Sequence, residues 1–280
     1  MSQADSTVAA PVQGALIDLL ETQYTSLEEL GASLTPSEWH QRASLPGWSV
    51  FDIYAHIIGT EAMMEGREPP DVNVDVERLA HVRNDVGVIN ETWIEALSNL
   101  TPEEMVQQYR ETIAARMRSL RSLSAEAFNE ATMTPVGLAP YWRYLQIRVF
   151  DCWMHEQDVR ESLIRPGNES GRCAEAAVDE VERSIGFLIG KKADAPSGST
   201  VTIELTGPVY RTIHVEVLDR AQQVERLEGP PTSRVILTSS LFMRLIGGRT
   251  DALASRLGAL EFEGDLGLAR QIVGNLAFTL

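Results

Sequence analysis

Apolar residues recur at helical spacing through most of the first 165 positions. Between Val12 and Leu34 the positions Leu16, Leu19, Leu20, Tyr24, Leu27 and Leu30 form one stripe, the mark of an amphipathic helix. Thr35-Pro-Ser-Glu38 follows, with a hydroxyl at the cap, proline in the first turn and a carboxylate three residues on, which starts a short second helix. Leu45-Pro-Gly-Trp-Ser49 ends it. Ser49 and Asp52 then supply a cap and an acidic first turn for a helix with Val50, Ile53, Tyr54, Ile57 and Ile58 on one stripe. After a loop from Gly66 to Asp75, Val76 to Leu100 reads as a helix carrying Val82, Val86, Ile89, Trp93, Ile94 and Leu97. Thr101-Pro-Glu-Glu104 repeats the start signal and launches a helix to about Leu123 with Met105, Tyr109, Ile113 and Met117.

A loop around Thr134-Pro-Val-Gly leads into Tyr141 to Ser162, one long helix without an internal Gly or Pro. It is apolar nearly all round. Trp142, Val149 and Trp153 lie on one side, Phe150 and Met154 on a second, and Leu145, Cys152 and Val159 on a third, so most of its circumference is expected to be buried. Long helices joined by short connections predict a four-helix bundle, whose core commonly holds metals between facing helices.

The character changes at Arg165-Pro-Gly-Asn-Glu-Ser-Gly171, which reads as a domain boundary between residues 1–166 and 172–280. A helix is expected over Cys173 to Ile189. Alternating strands follow at Val201 to Leu205, Tyr210 to Val217 and Arg234 to Thr238, with a short strand at Leu260 to Gly264. Helices are expected at Ser239 to Ile246, Asp251 to Leu257 and Leu266 to Leu276. The fold class is therefore α+β, a helical bundle followed by a smaller mixed domain.

Polar groups on the buried helix need a reason. Asp151 and His155 are four apart, so a carboxylate and an imidazole share one face, with Asp158 at the next step. His56, two turns into its own apolar helix, is the best partner, and the three make a His/Asp/His metal-ligand set. Structural readings stand beside this one. Asp151 and His155 could be a hydrogen-bonded pair with Arg148 neutralising the carboxylate, and His56 a satisfied core histidine. Asp158 could orient His155 or pair with Arg160. Cys152 points about 100° away from Asp151 and reads as a small core residue, with a catalytic thiol as the alternative. With two cysteines and no CxxC spacing, neither a disulfide framework nor a thiolate zinc site is indicated.

Composition narrows the function classes. Forty acidic against 24 basic residues give a net charge of −16, which repels nucleic acid and anionic membranes alike. No apolar run is long enough for a spanning helix and the first residues lack a signal-peptide pattern, so a cytoplasmic location is expected.

Pro46-Gly-Trp-Ser-Val with Ala-His56-Ile-Ile-Gly-Thr-Glu61, and later Arg148, Asp151 and His155-Glu-Gln-Asp158-Val-Arg160, resemble the DinB-like bundle of the mycothiol-dependent maleylpyruvate isomerase family. Leu241-Phe-Met-Arg-Leu-Ile-Gly-Gly-Arg249 through Leu260-Glu-Phe-Glu-Gly-Asp265 is similar to that family's sterol-carrier-like second domain. The resemblance implies a divalent metal, usually zinc, held by His, Glu and His. Those positions correspond to His56, Asp151 and His155, so Asp stands here where the family has Glu. It further implies mycothiol as cosubstrate, an actinobacterial setting, and isomerisation or S-transfer on a small electrophile. An Arg of the second domain is implied to bind an acidic substrate, with Arg249 as first candidate and Arg244 behind it; Arg249 reads equally as a helix-terminus charge interacting with exposed carbonyls. A homodimer is compatible with this reading. Two alternatives share the same residues: a non-haem iron enzyme, since two His and one carboxylate also describe the facial triad, and a lipid-binding protein with a structural metal.

Overall fold

The computed structural model describes residues 10–249 and 260–278. The chain divides into two compact units, Met1–Gly167 and Asn168–Leu280.

The first unit is helical. Helices α1 (Gln13–Ala32), α3 (Val50–Met64), α5 (Pro102–Arg121) and α7 (Tyr141–Ser162) form the bundle, with α1 packed on α5 and α7, and α3 on α5 and α7. The caps follow local chemistry. Ser49 and Asp52 form a reciprocal capping box at α3, and Thr101 with Glu104 does the same at α5, where a proline also occupies the first turn. The short α2 (Pro36–Trp39) has its own box from Thr35 and Glu38. Leu20, Tyr24, Leu27, Ile53, Tyr54, Ile57, Met105, Tyr109 and Leu145 fill the interior.

Helix α4 (Asp85–Leu97) lies against α3, at a contact where Gly59 matters. A Cβ there would sit 2.4 Å from the Trp93 ring, so the indole packs directly on the backbone. The expected helix from Val76 is corrected: residues 76–84 hold only a 3-10 turn at Val76–Arg78, and α4 begins at Asp85 with Asn84 as its cap, accepting from the Gly87 amide at 2.9 Å. No residue of 76–84 is buried, so nothing drives that stretch into a packed helix. The loop expected at Thr134-Pro-Val-Gly is instead a hairpin after α6 (Ala125–Asn129), with β1 (Ala131–Thr134) paired antiparallel to β2 (Gly137–Pro140). Gly137, at φ +98°, supplies the left-handed turn.

In the second unit a mixed sheet runs β5-β4-β3-β6-β7, from β3 (Thr200–Thr206), β4 (Arg211–Val217), β5 (Ala221–Val224), β6 (Ser233–Thr238) and β7 (Glu261–Gly264). Only the β3/β6 pairing is parallel. Alternation places Val201, Ile203, Leu205, Ile213, Val215, Val235 and Leu237 in the core. Helices α8 (Arg172–Glu182), α10 (Ser239–Ile246) and α11 (Leu266–Gly274) complete the layer, α10 and α11 both contacting β6. The single helix expected over Cys173 to Ile189 is broken: after α8 come the short α9 (Ile185–Phe187) and a π-helical turn at Leu188–Lys192. Gly186 and Gly190 both press on Ala221, whose carbonyl oxygen would lie 2.7 Å from a Cβ at position 186, so packing on β5 shapes this segment. Strand β5 had no clear alternation to announce it. The helix expected at Asp251 to Leu257 lies outside the described residues. No described helix is long and apolar enough to cross a membrane.

Candidate metal centre

Helix α3 places His56 two turns past its Ser49 cap, and α7 stacks Asp151 and His155 one turn apart, so three potential ligands from two facing helices converge in the bundle. One ligand atom from each lies within 4.8 Å of the others. His56 Nε2 is 3.5 Å from Asp151 Oδ2, and His155 Nε2 is 3.6 Å from Asp151 Oδ1, so each imidazole faces its own carboxylate oxygen. The two rings meet edge to face, with centroids 4.9 Å apart.

The donor set fits a divalent cation. Both ring nitrogens of His56 are buried; Nε2 meets the Asp151 carboxylate only at 3.5 Å and Nδ1 has no hydrogen-bond partner, an arrangement that costs stability unless something binds there. The 3.6 Å separation between His155 Nε2 and Asp151 Oδ1 is close to the edge of about 3.4 Å expected for a tetrahedron of ligands at zinc distances. Asp151 keeps 31% of its side chain exposed while both histidines are nearly covered, so the cluster opens to solvent on the carboxylate's side.

Electrostatics differ across the three. Burial pushes the His56 imidazole below its ordinary pKa, and the Asp151 carboxylate only partly offsets this. Burial acts the same way on His155, but Asp151 and Asp158 outweigh it and raise the imidazole to about 9. Burial also opposes ionisation of Asp151, yet His155 and Arg148 together hold it well below the usual carboxylate range. Without a metal, the cluster is thus a neutral His56, an ionised Asp151 and a protonated His155.

Surrounding residues fix these groups. Asp158, fully buried, lies 3.4 Å from His155 Nδ1 and accepts from the Ser44 hydroxyl at 3.1 Å. Arg160 pairs with Glu156 at 2.7 Å. Arg148 donates to Asp151 Oδ2 at 2.5 Å, so the carboxylate that faces both histidines also carries the ion pair considered from sequence. The other side of the Arg148 guanidinium is held by Glu61, which Arg116 reaches from α5. Trp48 walls the cluster, its ring 5.2 Å from His56 and 6.0 Å from His155. Its indole N–H donates to Glu91 Oε1 at 2.7 Å, the atom that also meets His81 Nε2 at 2.7 Å.

Cys152 is buried and accepts from Arg148 at 3.3 Å, and burial pushes its thiol far above the range in which a nucleophilic thiolate forms. Arg249 belongs to the second unit, just past α10, where it is buried and donates to the Gly247 carbonyl. Arg244 is buried on α10 itself. Sequence reasoning gave no role to Glu61, Arg116, Trp48, Ser44, His81 or Glu91. Glu61 and Arg116 carried a signal, as charges on the apolar stripes of their helices.

Residues 20–160 match the family model described as the mycothiol maleylpyruvate isomerase N-terminal domain, and residues 175–271 match the C-terminal domain of the same group. No curated protein matches by sequence. The crystal structure of the mycothiol-dependent maleylpyruvate isomerase superposes with a TM-score of 0.56 at 15% identity, covering 85% of this chain and 90% of that one. A point mutant of that isomerase gives 0.55 at 16% identity over the same shares. At this identity the likeness is one of fold.

Proposed function

The chain belongs to the mycothiol maleylpyruvate isomerase family, and from that premise we propose that it is an enzyme using a low-molecular-weight thiol, mycothiol, to isomerise a small electrophile or to transfer sulfur to it at a divalent metal, zinc by preference. The observation that carries the reading is the convergence of His56, Asp151 and His155 within the buried bundle, with Nδ1 of His56 buried and without a hydrogen-bond partner. His56 and His155 would each offer one nitrogen and Asp151 one oxygen. When bound, the metal supplies Lewis acidity that lowers the pKa of a thiol at the open coordination position.

The chain's own residues do the rest. Asp158, anchored by Ser44, holds Nδ1 of His155 and so turns Nε2 toward Asp151. Two neutral imidazoles and one carboxylate leave about one net positive charge on a dication, which favours an anionic sulfur. Trp48, fixed by Glu91, covers one flank of the histidines and limits water there. For Arg249 the proposed role is to hold an acidic group of the substrate, a role carried by the family resemblance.

Metal analysis of anaerobically purified protein, beside the His56→Ala, Asp151→Ala and His155→Ala variants, tests the centre. One equivalent of zinc in the parent and a small fraction in each variant is expected. Iron in place of zinc would favour the facial-triad alternative, and unchanged metal in all three variants would move the site elsewhere. Maleylpyruvate turnover with mycothiol then tests the reaction. A thioether product by mass spectrometry would identify transfer, and an isomer without sulfur would identify isomerisation. Arg249→Met is expected to raise KM for an acidic electrophile more than it lowers kcat.

A further inference from the structure

The Asp151 carboxylate is not a free ligand. Arg148 sits three residues before it on α7 and donates to Oδ2 at 2.5 Å, while Nε and Nη2 of the same guanidinium lie 2.8 Å from Glu61 Oε1. Nη2 also reaches Cys152 Sγ at 3.3 Å. Glu61 is fully buried on α3, the helix that carries His56, and its other oxygen takes Arg116 Nε at 3.0 Å. Arg116 continues to Glu65 at 3.2 Å and to the Tyr141 hydroxyl at 2.5 Å, at the first residue of α7. A rigid planar fork gripped at three points cannot swing away from Asp151 without stranding a buried charge.

We propose that Arg148 is a positioning residue of the metal centre: anchored by Glu61, it occupies Oδ2 of Asp151 and confines that residue to ligation through Oδ1, the oxygen facing His155 Nε2. This inference rests on the metal reading above. It assigns Asp151 the part of a one-oxygen ligand, which keeps a coordination position free for the substrate thiol.

The test uses cobalt as the probe, with the full chain and no turnover. Wild-type protein is expected to take up one cobalt and give the intense visible absorption of a four-coordinate ion. Arg148→Met leaves Glu61 paired with Arg116 but frees Oδ2. Cobalt absorption is then expected to weaken as the second oxygen joins the coordination sphere, and affinity to fall about 10–100-fold in chelator competition. Arg116→Met is the structural control: it removes an equally buried guanidinium from the same Glu61, and is expected to lower the melting temperature while leaving the cobalt spectrum unchanged. Should Arg148→Met fail to fold, Arg148→Lys serves, since one ammonium cannot span Glu61 and Asp151 together, and the same two readings are expected to move in the same direction. Wild-type spectrum and affinity in the Arg148 variant, or equal spectral changes in the Arg148 and Arg116 variants, overturn the proposal. A wild-type protein that takes up no cobalt overturns the metal centre itself and this inference with it.

Discussion

Replacing Glu61 by Gln tests the electrostatic core of the bundle. Glu61 has no exposed surface, and two guanidinium groups, themselves 96–97% covered, reach it at 2.8 and 3.0 Å. Its carboxyl is held below the ordinary range because Arg148 and Arg116 outweigh the opposing effect of burial. Unit charges about 4 Å apart attract by about 4 kcal/mol at an effective dielectric of 20, and desolvation offsets much of that. The measured cost of removing one partner from such a buried pair is about 3–5 kcal/mol, because the remaining charge is stranded. For a unit of this size that corresponds to a fall in Tm of roughly 6–20 °C. Urea and thermal unfolding in the presence of a chelator would isolate this effect from metal binding. Glu28→Gln is the reference, since the Glu28–Arg110 pair is exposed and its loss should cost under about 1 kcal/mol. Because the Glu61 pKa is lowered on folding, its contribution is present above the unfolded value of 4.5 and disappears as pH falls through the folded value. The acid limb of the stability curve should therefore flatten in the variant. A Glu61→Gln protein no less stable than Glu28→Gln would refute the reasoning.

Other outcomes follow from the same geometry. In metal-free protein His155 titrates at about 9, so metal uptake at pH 7 should release close to one proton, and apparent affinity should rise about tenfold per pH unit up to that value. Calorimetry in buffers of different ionisation enthalpy checks this, and heats independent of buffer would contradict it. The sign for stability is opposite to that of Glu61: the raised His155 pKa stabilises the metal-free fold below pH 6.5, and that contribution is lost as pH rises through about 9. Asp158→Asn should weaken cobalt binding about 10–100-fold through the orientation of His155, measured by chelator competition; affinity equal to wild type would limit Asp158 to a structural part. Glu91→Ala removes the acceptor shared by Trp48 and His81 and should cost about 1–3 kcal/mol in urea unfolding, whereas a loss within error would show that the indole is held by packing alone.

Local chemistry in the sequence determined where most helices begin. The Thr35, Ser49 and Thr101 caps bind amides or carboxylates only three residues away, so no distant contact is needed to read them. The one-turn spacing of Asp151 and His155 on α7 is likewise a property of the helix itself, and the unbroken apolar circumference of α7 already required buried surroundings. What depends on packing was not legible. Residues 76–84 have helical spacing but bury no surface, and Gly186 and Gly190 pack against a strand more than thirty residues later; the 131–140 hairpin is local but short, its four-residue strands too brief to show an alternation. The site divides along the same line. Ligand types and their face came from helical periodicity, whereas Arg148, Glu61 and Arg116 lie on three different helices, and only packing those helices together could show that one guanidinium joins Asp151 to a buried carboxylate on the helix that carries His56. Periodicity encodes direction around a single helix; charge pairing across a bundle depends on distances that exist only after the helices have packed.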